Sequence, residues 1–409
     1  MTPRTLTLTE GADPERVRLP SEVAYAIDSG SALSLERTAT PGEYLLSSTG
    51  KVGVVTAGEW QIVVAPKMPI SRLIFLLGYA KAPGFWTDDT VHVDADEDLV
   101  GALISSFVRF TRRAVDQGVL QGYVTVEDVA PVLRGRINES EQIRRVYGRS
   151  IPLHVRYDDY SVDTPENRIL LTAVRAVLRL PVVTSPQRAS LHRIMIALEA
   201  VTPLTRGAAR PAWTSSRLNS RFVPALRLAE MILDGESIEQ RHGQVAVRGF
   251  LVNLNKVFED FVCVAYSEAL RGHDGYGRHQ RKSYLDDGEA VEIKPDFLWL
   301  GDGEKPVAVM DAKYKAEKPA GYPNADVYQM LAYCTAFGLR EGHLVYARGQ
   351  GPEIRHNIPG VDITVHCHAL DLEATPADIL VEIERLARLL VCNESQSAPS
   401  KPEMAYGRG

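Results

Sequence analysis

Two strand-like runs, Ala290 to Leu300 and Pro306 to Lys313, constrain the fold of this chain more than any other feature of its sequence. Both are apolar in the body and charged at particular places. Pro295-Asp296 is read at a strand end in the first and Asp311-Ala312-Lys313 at the end of the second, fifteen residues beyond that aspartate. Side chains alternate along a strand, so Asp311 and Lys313 point to the same side of a sheet. Asp296, on a neighbouring strand, would meet them there. Charges confined to strand ends lie at a sheet edge, where a cleft forms.

Two carboxylates gathered at one point repel unless water or a cation lies between them. A hard divalent ion, Mg2+ or in its place Mn2+, resolves this with oxygen ligands. Such an ion lowers the pKa of a bound water and neutralises charge on a phosphoryl oxygen. A lysine beside it orients or deprotonates the nucleophile and stabilises the anionic transition state. The reaction class is phosphodiester hydrolysis. An Asp-x-Lys at a strand end is by itself most often a surface ion pair, and the preceding Pro-Asp is what makes a catalytic reading competitive. Two flanking features add to it. A helix expected over Gly249 to Leu270 buries Phe258, Phe261 and Val262 and leaves Glu259 at the edge of that stripe, either as an ordinary solvated residue or as a third oxygen ligand. Further on, Gln329 and Tyr333 are spaced i, i+4 and share one helix face.

The series Glu259, Pro295-Asp296, Asp311-Ala-Lys313 and Gln329-x-x-x-Tyr333 resembles the core of PD-(D/E)xK nucleases with a glutamine-tyrosine motif. More closely it resembles the McrC family, the nuclease subunits of McrBC modification-dependent restriction systems. Val64-Ala-Pro-Lys67, Leu133-Arg-Gly-Arg-Ile137 and Asp163-Thr-Pro-Glu-Asn-Arg168 follow in that family's order. Asp311-Ala-Lys-Tyr-Lys315 and Tyr328-Gln-Met-Leu-Ala-Tyr333 are the most specific landmarks. The resemblance runs roughly from Val52 to Leu390; Asn253 and Leu254 stand where a more acidic, methionine-containing stretch is expected. It implies a Mg2+-dependent endonuclease that cleaves modified (5-methylcytosine) DNA in phage defence. Asp296, Asp311 and Glu259 would hold the metal, Lys313 would be the catalytic lysine, and Gln329 and Tyr333 would support the site or the DNA. Lys315 is expected near a phosphate. The partner implied is McrB, a ring-forming AAA+ GTPase that recognises the modified DNA and whose hydrolysis the family's N-terminal part stimulates.

The rest of the chain is consistent with a motor partner. No Gly-x-x-x-x-Gly-Lys-Ser/Thr loop is present, since Gly50-Lys51 is followed by valine and Arg281-Lys282-Ser283 lacks the needed glycine, so no nucleotide is expected on this chain. Arg134, Arg136, Arg144 and Arg145 are candidates for the partner contact or for DNA backbone. A second basic group, Arg271, Arg278, His279, Arg281 and Lys282, falls in a Gly-rich loop ahead of the proposed cleft, where phosphate contacts compete with a plain solvated loop. In His366-Cys367-His368 the two histidines share a strand face, but no further ligands stand at zinc spacing.

At 409 residues the chain is long for one core, and a net charge of −6 excludes a nucleic-acid-binding polycation, leaving only local basic patches. Four cysteines in apolar segments without a CxxC pair suggest reduced, buried thiols and a cytoplasmic protein. No apolar run approaches bilayer length, and the N-terminus lacks a signal peptide's apolar core. Turn-punctuated strands before residue 70, then helices at 70–80 and 96–116, indicate a β-rich and helical N-terminal domain over 1–150, which the resemblance makes the partner-binding part. Thr164-Pro165-Glu166 starts a helix, and helical patterns over 185–200 and 222–233 suggest a helical linker domain at 151–244. An α/β nuclease domain with a central mixed sheet is expected at 245–392 and a disordered tail at 393–409, giving an α+β multidomain chain. The competing readings are a non-catalytic adaptor of an NTPase and a stand-alone nuclease in DNA repair.

Overall fold

The computed structural model describes residues 4–29, 33–48, 50–81, 83, 99–146, 151–205, 209–234, 236–242, 245–314, 324–347 and 353–392. The expected tail and Lys315 lie outside them. Contacts divide the chain into two compact units: residues 1–49, 53–65 and 93–251 in the first, and 50–52, 66–92 and 252–409 in the second.

The first unit holds a five-stranded sheet in the order Arg4–Thr9, Trp60–Ala65, Lys51–Ala57, Val245–Asn253, Glu236–His242. It also holds two three-stranded sheets and a group of packed helices, among them Leu99–Val115, Pro165–Leu178, Ser185–Ala197 and Val223–Asp234. Thr164 caps its helix by accepting from the Asn167 N–H, with Pro165 at the first helical position as the sequence indicates. One of the small sheets, Gly122–Ala130, Leu153–Ser161 and Arg136–Ile137, leaves large apolar side chains in solvent: Tyr123 is 78% and Tyr160 60% exposed, with ring centroids 5.2 Å apart.

The second unit contains, in chain order, α1 (Ile70–Lys81), α2 (Leu254–Ala269), β1 (Tyr276–His279), β2 (Ser283–Tyr284), β3 (Glu292–Ile293), β4 (Phe297–Leu300), β5 (Pro306–Lys313), α3 (Asn324–Phe337), β6 (Glu341–Ala347), β7 (Ile354–Ile358), β8 (Ile363–Leu370) and α4 (Pro376–Cys392). Six strands form one mixed sheet in the order β1-β4-β5-β6-β8-β7, in which β5, β6 and β8 run parallel and the other neighbours antiparallel. Alternation decides which side chains go to which face. Leu344, Tyr346, Val365 and Cys367 pack with Met330, Tyr333 and Cys334 of α3, while α2 and α4 pack on β5 as well and α4 on β8. Strands covered on both faces read as continuous apolar runs, and Phe297-Leu-Trp-Leu300 is buried throughout. On α2, Phe258, Phe261 and Val262 are fully buried as the periodicity predicts. Burial of that kind stabilises by about 1.5–3 kcal/mol per side chain.

Three expectations change. The run from Ala290 to Leu300 is two strands in two sheets, β3 and β4, broken at Lys294-Pro295-Asp296. Proline has no N–H for a ladder and is confined to strand starts and edges, so Asp296 opens a strand instead of ending one. The helix expected from Gly249 begins only at Leu254, because Val245–Asn253 is a strand and Asn253 caps α2 by accepting from the Lys256 N–H. Gly249 serves the strand: a Cβ there would lie 2.7 Å from the Val54 carbonyl oxygen. Finally, Arg278 and His279 are on edge strand β1, paired with Leu298 and Phe297, and not in a loop. No helix among the described residues is long and apolar enough to cross a membrane.

Candidate active site

The start of β4 and the end of β5 share one sheet edge because the two strands are antiparallel. There the carboxylates of Asp296 and Asp311 each accept from a backbone amide of the neighbouring strand. The Asp296 N–H donates to Asp311 Oδ1 (3.3 Å), and the Ala312 N–H donates to Asp296 Oδ2 (2.9 Å). Both side chains are buried, at 9% and 2% exposure. Lys313 lies on the same face as Asp311 and forms an ion pair with its Oδ2.

From Lys313 the contacts run onto α3. Its Nζ donates to Gln329 Oε1 (2.9 Å), Gln329 Nε2 donates to the Tyr333 hydroxyl (2.9 Å), and that hydroxyl donates to the Lys294 carbonyl (3.2 Å). The helical i, i+4 pair therefore closes a loop between the lysine and the residue just before Pro295. Glu259 on α2 is half-buried and feels both Lys313 and Asp311 electrostatically. Five of the six residues named from sequence are thus joined by hydrogen bonds or an ion pair at one edge of one sheet, and Glu259 reaches them through its charge. Two participants carry no signal in the sequence: the Lys294 carbonyl, and the Cys263 thiol, which donates to the Asp296 carbonyl (3.3 Å).

Burial, with Asp311 next, pushes the Asp296 carboxyl up to about 8. Burial also raises Glu259, with Lys313 opposing and Asp311 adding to the shift. For Lys313, burial favours the neutral form, but the Asp311 carboxylate outweighs it and the ammonium is held above its ordinary value. Burial raises the Tyr333 hydroxyl as well. An all-oxygen cluster of acids whose ionisation is costly without a counter-charge is a donor set suited to a hard divalent cation.

A family model described as the McrBC 5-methylcytosine restriction system component matches residues 46–347. The chain belongs to this McrBC family. Among solved structures, a chain of the refined half-complex from a tetradecameric assembly of Thermococcus gammatolerans McrB AAA+ hexamers with bound McrC is similar in fold. The match has 19% identity and a TM-score of 0.57, covering 95% of this chain and 100% of that one. A chain of the cryo-EM structure of the Thermococcus gammatolerans McrBC complex matches at 21% identity, covering 65% of this chain and 88% of that one, with a TM-score of 0.37. No curated protein matches.

The basic residues of this McrBC-family chain are largely engaged. Arg278 and Arg281 flank Glu304 at 3.9 and 3.7 Å, Lys282 pairs with Glu292 at 2.6 Å, and Arg271 with Glu268 at 2.6 Å. The patch is therefore exposed but partly neutralised. Arg134 pairs with Asp159 (2.9 Å) and lies over the Tyr157 ring, Arg144 pairs with Glu141 (3.1 Å), and Arg136 is exposed on its short strand. The Arg145 side chain lies outside the described residues. On the face of the sheet opposite Asp311, His366 and His368 of β8 meet His343 of β6, a neighbour the sequence does not announce. Burial holds all three imidazoles below their ordinary value.

Proposed function

We propose that this chain is the Mg2+-dependent DNA endonuclease subunit of a McrBC-like restriction complex, built on a PD-(D/E)xK core and switched on by an AAA+ GTPase partner. The observation that carries the proposal is the meeting of Asp296, Asp311, Lys313 and Glu259 at one sheet edge in a McrBC-family chain. Asp296, Asp311 and Glu259 would hold the metal. Once bound, it supplies Lewis-acid stabilisation of charge on the scissile phosphate and acidifies water.

The chain's own residues do the rest. The Asp311 carboxylate holds the Lys313 ammonium above its ordinary value, which suits the lysine to stabilising negative charge on the phosphate. Gln329 fixes the lysine by accepting from its Nζ, and Tyr333 fixes Gln329 while tied to the Lys294 carbonyl. Tyr333 keeps its proton, which suits it to a donor in that chain. The partner is a ring of McrB type, as in the Thermococcus assembly with bound McrC, and residues 1–150 are the part proposed to dock into it and stimulate GTP hydrolysis.

The test is cleavage of methylated and unmethylated plasmid with Mg2+, with and without the AAA+ partner and its nucleotide. Wild type should cut only the methylated plasmid, only with partner and GTP, and Asp311→Ala and Lys313→Ala should abolish cutting while still raising the partner's GTPase rate. Cutting by both variants at wild-type rate would refute the site. Full cutting without a partner would refute the subunit reading, and GTPase stimulation without any cutting by wild type would make the chain an adaptor.

A further inference from the structure

Between the six-stranded sheet and α4 lies a second cluster with different chemistry. His343, His366 and His368 stack nearly parallel, with centroids 4.8 Å apart for the first pair and 5.3 Å for His343 and His368. The parallel register of β6 and β8 sets His343 beside His366, and alternation adds Glu341 and His368 to the same face.

The hydrogen bonds around these rings assign their tautomers. Arg385 pairs with Glu353 and keeps it a carboxylate, which only accepts. Glu353 Oε1 lies 3.3 Å from His368 Nδ1, so that nitrogen carries the proton. A buried imidazole is disfavoured as a cation, which leaves His368 Nε2 as the acceptor for His343 Nδ1–H at 3.0 Å. The Nε2 of His343 is then an unprotonated lone pair. This is how proteins prepare a ligating histidine, by engaging its other nitrogen in a chain that ends on a carboxylate. Beside it, His366 Nε2 is buried with no hydrogen-bond partner and lies 3.6 Å from Glu341 Oε2. One ligand atom from each of Glu341, His343 and His366, a ring nitrogen or a carboxylate oxygen, falls within 4.8 Å of the others.

We propose that Glu341, His343 and His366 form a Zn2+ site, supported by the His368–Glu353–Arg385 chain and completed by water on the Glu341 side. Two imidazoles and one carboxylate are a zinc donor set, unlike the all-oxygen cluster on the other face. Tetrahedral ligands at zinc distances stand roughly 3.4 Å apart, so the group must contract slightly. Glu341, with its side chain 38% exposed, has room to make that move. The ion would clip the start of β6 to β8 beneath α4, a structural role apart from the catalytic edge.

The experiment uses the untagged full-length chain, stripped with chelator and titrated with ZnCl2 in excess Mg2+, with calorimetry, elemental analysis and thermal melting as readouts. One Zn2+ per chain and a raised melting temperature are expected. Glu341→Gln and His366→Gln should abolish binding, and Glu353→Gln should weaken it about 10–100-fold. Asp311→Asn should bind zinc as wild type does. If His366→Gln does not fold, Glu341→Gln, at an exposed carboxylate, decides. The proposal is overturned if wild type binds no Zn2+, if Glu341→Gln binds it unchanged, or if Asp311→Asn loses it. Because nothing is read from DNA cleavage, failure here leaves the nuclease proposal standing, and the reverse also holds.

Discussion

At the residue scale, Asp296 has the clearest measurable consequence. Its folded carboxyl titrates at about 8, well above the ordinary carboxylate value near 4. The folded state therefore holds this proton more tightly than the unfolded state does, and the stability it contributes is complete at acid pH and lost as pH rises through about 8. Chemical denaturation of the metal-free protein from pH 5 to pH 9 should show falling stability, and Asp296→Asn should flatten that fall. Mg2+ should restore stability mainly at the alkaline end, where Asp296 is ionised. Equal slopes for wild type and Asp296→Asn would mean the carboxyl is not held protonated. Of this site, the residues were legible because alternation and helical spacing are local rules: Asp311 and Lys313 had to share a face, and Gln329 and Tyr333 had to share another. The Lys294 carbonyl and the Cys263 thiol were not, since a backbone oxygen has no residue type and a lone cysteine has no spacing.

At the element scale, α3 is placed by a gap in the sheet. Gly342 on β6 leaves room for Met330 and Cys334, and a Cβ there would lie 2.5 Å from Met330 Sδ and 2.6 Å from Cys334 Sγ. Gly342→Ala should cost about 1–3 kcal/mol through overpacking. It should also lower plasmid cleavage beyond what the stability loss explains, because α3 carries Gln329 and Tyr333. A variant that melts lower but cleaves normally at permissive temperature would show that the helix tolerates displacement. Long periodic helices were readable in advance: residues 70–80 announced Ile70–Lys81 and 96–116 announced Leu99–Val115. The short strands were not. Two or four residues carry too little period to separate β3 from β4, and Tyr276–His279 looks like loop until β4 is placed beside it. His343 and His366, 23 positions apart, are neighbours only through strand register, which no local pattern encodes.

At the scale of the whole molecule, exposed aromatic side chains bear on where the proposed partner docks. Isolated exposed apolar residues are ordinary, but Tyr123 and Tyr160, touching each other and mostly in solvent, form the kind of patch that marks a protein interface. The double variant Tyr123→Ser, Tyr160→Ser should fold with little change in melting temperature. It should bind the AAA+ partner more weakly and stimulate its GTPase less, measured by pull-down and phosphate release. Tyr123 lies within residues 1–150 and Tyr160 just beyond them, and unchanged stimulation would move the proposed docking surface away from this sheet. A mixed α and β chain with a mixed sheet was legible from the alternation of helical and strand patterns, whereas the discontinuous make-up of the two units was not. Val245–Asn253 joins a sheet whose other members lie near the N-terminus or just before it, and sequence distance gives no hint of such a return.

The crossed hydrogen bonds of Asp296 and Asp311 bear on how such a site decays in a lineage. Each carboxylate accepts from a backbone amide of the neighbouring strand, so replacing either side chain removes one proposed metal ligand and leaves in place the amide that holds the other. The two substitutions should be strongly non-additive: the first abolishes activity, and the second adds little further loss. On the proposed nuclease reading, a homologue that keeps one acid without the other should be as inactive as one that keeps neither.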